Sequence, residues 1–236
     1  MPMWIKVCGV TAPAEIAILK DFAVRMVGVW HGVEGGHADL PADRFCQIAG
    51  SIADDDSVEP VLVTFINDAD RLGDLIARSG VQWVQLHAFQ PPSLVQTLKR
   101  RFGTRLGIIK VLHLRRWDCL EQGLIGAYER AGTDVFLLDA ATAEGRIGST
   151  GRALDGEAVS AVANRLTRPF LLAGGISADI GPDQRRAAKH PRFLGIDVDS
   201  GARGDDGAFD RSRLEKLIRS WTSLRTGDRQ HAVEFS

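Results

Sequence analysis

Cysteine is scarce in this chain, and so are methionine and tyrosine: three, three and one among 236 residues. The cysteines, Cys8, Cys46 and Cys119, are odd in number and far apart. That argues against a disulfide framework and against a zinc site, which needs closely paired ligands. No metal is expected, and a reducing cytoplasm is the expected location. A surplus of either charge is also missing. The 29 basic and 30 acidic residues leave a formal net charge of -1, so there is no electrostatic footprint for nucleic acid or an anionic membrane. No apolar run reaches the ~18 residues of a membrane span. No basic stretch followed by a long apolar run stands near Met1, as a secretory signal would require. What remains is 44% hydrophobic and 25% charged, an ordinary globular composition.

The apolar residues come in short runs: Ile5–Gly9, Met26–Trp30, Pro60–Phe65, Trp83–His87, Leu106–Leu112, Val135–Asp139, Pro169–Gly174 and Phe193–Val198. Most are continuous rather than alternating, as in parallel strands buried on both faces. Helical patterns lie between them. Leu72, Leu75 and Ile76 form one stripe, Leu94, Val95 and Leu98 another. Leu214, Leu217, Ile218 and Trp221 follow the i, i+3, i+4, i+7 spacing of an amphipathic helix. Helix starts are marked by Thr11 before Pro13, by Asp68, and by Pro91-Pro92 before Ser93. Eight consecutive β-then-α units predict a single (β/α)8 barrel over residues 1–225, with a doubly wound sheet as the alternative. Residues 226–236 are polar and read as a frayed tail.

Active sites of such barrels lie at the C-terminal ends of the strands. Three glycine-rich segments fall there: Gly148-Ser149-Thr150-Gly151, Ala173-Gly174-Gly175-Ile176-Ser177 and Asp197-Val198-Asp199-Ser200-Gly201. Glycines let the backbone approach an anion closely, and a following helix N-terminus adds partial positive charge. Each pair alone reads equally as a turn; together, on neighbouring strands, they point to a phosphate site. The chain lacks the Lys-Ser/Thr of a nucleotide-binding P-loop, which favours a phosphosugar. The loop Gly32–Asp39 follows the second strand on the same face, and Ala140–Gly151 is a long connection that could close as a lid.

Two further strand tips carry reactive groups. Cys8 ends the first strand and Asp139 the sixth. Alone, Cys8 reads as a small buried hydrophobe and Asp139 as a helix cap or loop anchor. Facing one mouth, they could divide proton transfers between them, one taking a proton from carbon and the other giving one to oxygen. Cys8 would then need a lowered pKa.

Lys6-Val7-Cys8-Gly9-Val10-Thr11, Val84-Gln85-Leu86-His87, Leu137-Leu138-Asp139 and the three glycine segments occur in an order and spacing that resemble phosphoribosylanthranilate isomerase. The resemblance runs from Ile5 to about Leu217. It implies a cofactor-free Amadori rearrangement of N-(5-phosphoribosyl)anthranilate to the corresponding 1-amino-1-deoxyribulose 5-phosphate. By that resemblance Asp139 is the general acid and Cys8 the general base. Gly174, Gly175, Ser200 and Gly201 would hold the phosphate, and Gln85 and His87 would line the floor, with His87 equally readable as a hydrogen-bonded core residue. The family occurs as monomers or dimers, so either is expected here.

The chain departs from the family pattern around the aglycone. A Ser-Pro-Arg-like segment is usual after the second strand; here it is Glu34-Gly35-Gly36-His37-Ala38, and a guanidinium partner for the anthranilate carboxylate is missing. Arg203 replaces a usual glutamate, and Leu154 and Gly156 stand where an aromatic pair is usual. His37, Arg146 and Arg203 are therefore the candidates for the carboxylate. The alternatives are a different N-glycosyl or phosphosugar substrate, a non-catalytic phosphosugar binder, and a Schiff-base aldolase using Lys110.

Overall fold

The computed structural model describes residues 2–53, 57–115, 118–140 and 156–231, with 225–231 described as backbone only. Eight parallel strands close on themselves: β1 (Trp4–Cys8), β2 (Met26–Trp30), β3 (Glu59–Thr64), β4 (Trp83–Leu86), β5 (Gly107–Arg115), β7 (Val135–Ala140), β8 (Phe170–Leu172) and β9 (Phe193–Val198). β9 pairs back onto β1, and β4 onto β5. The predicted barrel is therefore correct, and closure excludes the open, doubly wound sheet. The short β6 (Asp118–Cys119) pairs antiparallel with the end of β5.

The helices are α1 (Pro13–Lys20), α2 (Ala42–Ala53), α3 (Ala69–Ser79), α4 (Pro92–Phe102), α5 (Ile125–Ala131), α6 (Gly156–Ala163), α7 (Pro182–Ala188) and α8 (Arg211–His231). Their apolar stripes face the barrel. Leu72, Leu75 and Ile76 of α3, Leu94, Val95 and Leu98 of α4, and Leu214, Leu217 and Trp221 of α8 are all buried. Each such side chain contributes ~1.5–3 kcal/mol when fully buried. Summed over a helix, this outweighs local propensity, which is why the stripes predict the docking faces. Among the described residues, no helix is long and apolar enough to cross a membrane.

Boundaries differ from the sequence reading in instructive places. Asp68 caps α3 as expected, its side chain accepting from Arg71 N at 2.8 Å. For α1 the N-cap is Ala12, not Thr11. The Glu15 carboxylate reaches back to both backbone N–H groups, at 2.7 Å from Thr11 and 3.0 Å from Ala12, doing the work of a capping side chain. β8 stops at Leu172 because Gly174 and Gly175 turn left-handed, with φ of 76° and 62°. β5 runs on to Arg115 because β6 folds back beside it, a hairpin arm that the apolar pattern does not signal. α8 continues to His231, into the stretch expected as tail.

Strand alternation sorts side chains into two layers. Val111 of β5, Leu137 of β7 and Leu171 of β8 point inward, while Leu112, Leu138 and Leu172 pack under the helices. Lys6 and Cys8, Gln85, His113 and Asp139 fall on the inward register, stacked toward the C-terminal mouth. Lys110 falls outward. Its Nζ donates to Ala88 O (2.8 Å) and Val111 O (2.7 Å) and lies 5.2 Å from the Tyr128 ring. Burial lowers its pKa to about 8. It is sealed under α5, so the aldolase alternative loses its nucleophile.

Candidate active site

A cavity of about 340 Å³ opens at the C-terminal mouth. Cys8, His37, His87, Asp139, Gly174, Gly175, Ser200 and Gly201 all line it, from six different loops and strand ends. This is the assembly that the sequence order alone could only suggest.

The β1 side is a buried charge cluster. Lys6 Nζ lies 2.9 Å from Asp197 Oδ1 and donates to Cys8 Sγ at 3.3 Å; the Trp30 indole N–H donates to the same sulfur at 3.0 Å. A Cβ added at Gly28, the facing residue on β2, would come within 2.6 Å of Cys8 Sγ and 3.0 Å of Lys6 Nζ. Glycine there makes the room in which thiol and ammonium meet. The expected lowering of the Cys8 pKa is not found. Burial pushes the thiol up to about 12; Lys6 and the Trp30 N–H pull it down, but Asp197 and Asp199 add to the rise. Asp197 itself is held above the ordinary carboxylate range by burial, against the pull of Lys6.

On the opposite side, Asp139 Oδ1 accepts from the N–H of Ala140 at 2.8 Å, and Oδ2 lies 3.4 Å from His87 Nε2. Gln85 Nε2 donates to His87 Nδ1 at 2.9 Å, so the hydrogen of a neutral His87 sits on Nε2, facing Asp139. Gln85 is fully buried and does not line the cavity; it supports His87 from below. His87 lines it and is at the same time hydrogen-bonded to Gln85.

The glycine loops meet at the third side. Gly174 and Gly175 have no backbone partner for their N–H groups among the described residues. A Cβ at Gly201 would fall on the carbonyl oxygen of Ile176, so the β8 and β9 loops run in direct backbone contact. Two residues outside the motifs hold this corner. Gln184 of α7 donates to Gly175 O at 3.1 Å, and Trp221 of α8 donates its indole N–H to Ser177 O at 2.8 Å. The third glycine segment, Gly148–Gly151, lies outside the described residues, as do Leu154, Arg146 and nearly all of the loop expected as a lid.

Of the three carboxylate candidates, His37 lines the cavity and is 52% exposed, its Nε2 3.3 Å from Asp199 Oδ2 and its ring edge-on to Trp30 at 4.8 Å. Arg203 requires a correction. Its guanidinium donates to Asp199 Oδ1 (2.7 Å), Gly9 O (2.7 Å), Cys8 O (3.3 Å) and Gly207 O (2.9 Å), and lies 4.0 Å over the Phe209 ring. With its donors spent on the protein and no place in the cavity lining, it is a clasp between the β1 tip and the β9 loop rather than a ligand for substrate. Glu34 also lines the cavity.

A curated relative, "N-(5'-phosphoribosyl)anthranilate isomerase 2" of Methanosarcina mazei, is 27% identical over 221 residues, covering 92% of each chain. Another, from Thermosynechococcus vestitus, is 27% identical over 214 residues, covering 91% of this chain and 87% of its own. Among solved structures, the phosphoribosylanthranilate isomerase of Pyrococcus furiosus superposes with a TM-score of 0.72 at 23% identity, covering 94% of this chain and 99% of its own. That of Thermus thermophilus gives 0.73 at 20%, covering 94% and 100%. These structural likenesses establish the same fold. The family described as "N-(5'phosphoribosyl)anthranilate (PRA) isomerase" matches residues 43–220, well over half of the chain. The chain therefore belongs to the N-(5'-phosphoribosyl)anthranilate isomerase family, a family of aldose–ketose isomerases.

Proposed function

We propose that this chain converts N-(5'-phosphoribosyl)anthranilate to 1-(2-carboxyphenylamino)-1-deoxyribulose 5-phosphate, with Asp139 as general acid and Cys8 as general base. The observation that carries this is the convergence of Cys8, Asp139 and the glycine loops of β8 and β9 on one cavity. Asp139 gives its proton to the furanose ring oxygen, the C1–O bond breaks, and a Schiff base forms between C1 and nitrogen. Cys8 then takes the proton from C2, and the resulting enolamine tautomerises to the ketose. The phosphate sits on the backbone of Gly174, Gly175, Ser200 and Gly201, where left-handed glycines and the following turn offer free N–H groups.

A thiol held up near 12 needs a way to lose its proton. Lys6 supplies it. Its ammonium touches both Cys8 Sγ and Asp197 Oδ1, so it passes one proton to the buried Asp197 carboxylate and accepts the thiol proton in its place. The thiolate left behind is stabilised by Lys6 and the Trp30 N–H. For the aglycone carboxylate, Arg146 is the guanidinium and the cavity-lining His37 a second hydrogen-bonding side chain, its Nε2 beside Asp199. A cytoplasmic location belongs to the same reading, since Cys8, Cys46 and Cys119 are all free thiols.

The test is turnover of N-(5'-phosphoribosyl)anthranilate, followed by loss of anthranilate fluorescence in a coupled assay. Well-folded protein without turnover overturns the assignment. Cys8→Ser and Asp139→Asn should each lower kcat by at least ~100-fold.

A further inference from the structure

β4 pairs with β5 only as far as Leu86, opposite Lys110, while β5 runs on to Arg115. The seam between the two strands opens where the chain enters His87–Gln90, the segment that carries His87 into the cavity. Buried polar groups fix this segment. Gln90 donates to Thr64 O (2.9 Å) and accepts from the Ala88 N–H (2.8 Å). The Tyr128 hydroxyl donates to Gln90 O (2.7 Å), and the His87 N–H to Thr64 O (3.1 Å). These bonds tie the segment to β3 and α5. Toward β5, one hydrogen bond among the described residues holds it, from Lys110 Nζ to Ala88 O at 2.8 Å.

Lys110 is fully buried, and both acceptors of its ammonium are carbonyls, Ala88 O and Val111 O. Burial lowers its pKa, and the charges of Glu121 and Cys119 offset this only in part. A desolvated cation of this kind is a weak reason for stability, since an apolar side chain fills such a place at less cost. What it joins is a better reason. Its two carbonyls stand on either side of the open seam, Ala88 beyond the end of β4 and Val111 on β5. Ala88 is bonded to His87, whose Nε2 lies 3.4 Å from Asp139 Oδ2. The proton transfers assigned to Cys8 and Asp139 do not use this lysine.

We propose that Lys110 is a positioning residue, a rivet across the open β4–β5 seam that sets His87 against Asp139. It touches neither the substrate nor the reacting atoms. Without its ammonium, the segment keeps its ties to β3 and α5 but is free to move off β5, and the His87 ring loses its fixed place beside the acid.

This role rests on the isomerase reading, and two kinds of measurement on the full chain separate them. Lys110→Met keeps the stem and removes both donor and buried charge, so the fold should persist. Its kcat should fall about 10-fold with KM within about twofold, because the phosphate loops belong to β8 and β9. In a His87→Ala background the same substitution should change kcat by less than about twofold, since the side chain it positions is gone. Lys110→Gln, which retains a donor, should recover part of the loss. Amide hydrogen exchange at His87–Gln90 should become about 10-fold faster in Lys110→Met and stay unchanged at Gly174–Ser177. A folded Lys110→Met with wild-type kcat, an equal loss with and without His87, or unchanged exchange at His87–Gln90 overturns the proposal. So does failure of both variants to fold, which would make Lys110 a purely structural residue. A wild-type chain without turnover overturns the isomerase reading instead, and the exchange still decides whether Lys110 holds the segment.

Discussion

Lys6 and Asp197 form an ion pair at 2.9 Å inside the barrel, the lysine fully buried and the carboxylate nearly so. A pair this deep gains its Coulomb energy at the expense of two desolvated charges, so stability alone is a weak reason for it. Its position explains it better. The same ammonium donates to Cys8 Sγ, and the pair is the link between the thiol and a carboxyl that burial makes ready to accept a proton.

Asp197→Asn should lower kcat by about 100-fold while changing KM little, because the amide cannot take the thiol proton through Lys6. Steady-state kinetics on the purified variant check this. Retention of wild-type kcat would remove Asp197 from the proton path.

Gly28→Ala should lower kcat by about 10- to 100-fold with a modest loss of stability. The added Cβ, 2.6 Å from Cys8 Sγ, forces the thiol away from the place where Lys6 and Trp30 meet it. Comparing kcat with the thermal midpoint separates displacement of the thiol from general unfolding.

The two arginines should behave differently. Arg146→Ala should raise KM for N-(5'-phosphoribosyl)anthranilate by about 10-fold or more, the scale of a lost charge-assisted hydrogen bond of ~1.5–3 kcal/mol. Arg203→Ala should instead lower both stability and kcat, because it frees the carbonyls of Cys8 and Gly9 and the carboxylate of Asp199 from their common donor. A pure KM effect at Arg203 would return it to the substrate.

Stability should fall in strong alkali. Cys8 and Cys119 have folded pKa values raised from 9.0 to about 12, so the folded state holds more protons than the unfolded one between those values. The stability they contribute is complete below pH 9 and is lost as pH rises through about 12. Lys110 works the other way, lowered from 10.5 to about 8, so stability gains from it as pH rises across that window. The net fall is therefore read above pH 10.5, by urea unfolding. A Cys8→Ser, Cys119→Ser double variant should show a flatter decline. Equal slopes for both proteins would refute the thiol contribution.

Much of the architecture is legible in the sequence. The runs Met26–Trp30 and Phe193–Val198 became strands with those bounds, and the stripe through Leu214, Leu217 and Trp221 became a buried helix face. Burial on both faces demands continuous apolar strands, and that demand is written residue by residue. The tips carrying Cys8, Asp139 and the glycine pairs followed from strand order alone, since a parallel barrel sends all its C-terminal ends to one mouth.

Other features depend on residues far apart in the chain. That Arg203 is a clasp follows from the carbonyls of Cys8 and Gly9, close to it only because β9 pairs with β1. That Lys6 serves Cys8, whereas Lys110 is sealed under a helix, follows from which way each strand turns its side chains; both lysines sit in equally apolar runs. Cys8 acquired a raised pKa from its own burial in the closed barrel and, to a lesser degree, from Asp197 and Asp199 across the barrel seam. His113 and Glu121 face each other through a hairpin arm without periodicity. The sequence by itself determined which elements form and where the reactive tips lie, because hydrophobic burial and backbone preference act locally. Only the tertiary structure decided the partners and charge states of those tips, because electrostatic and hydrogen-bonding environments are made by whatever the closed barrel brings within a few ångströms.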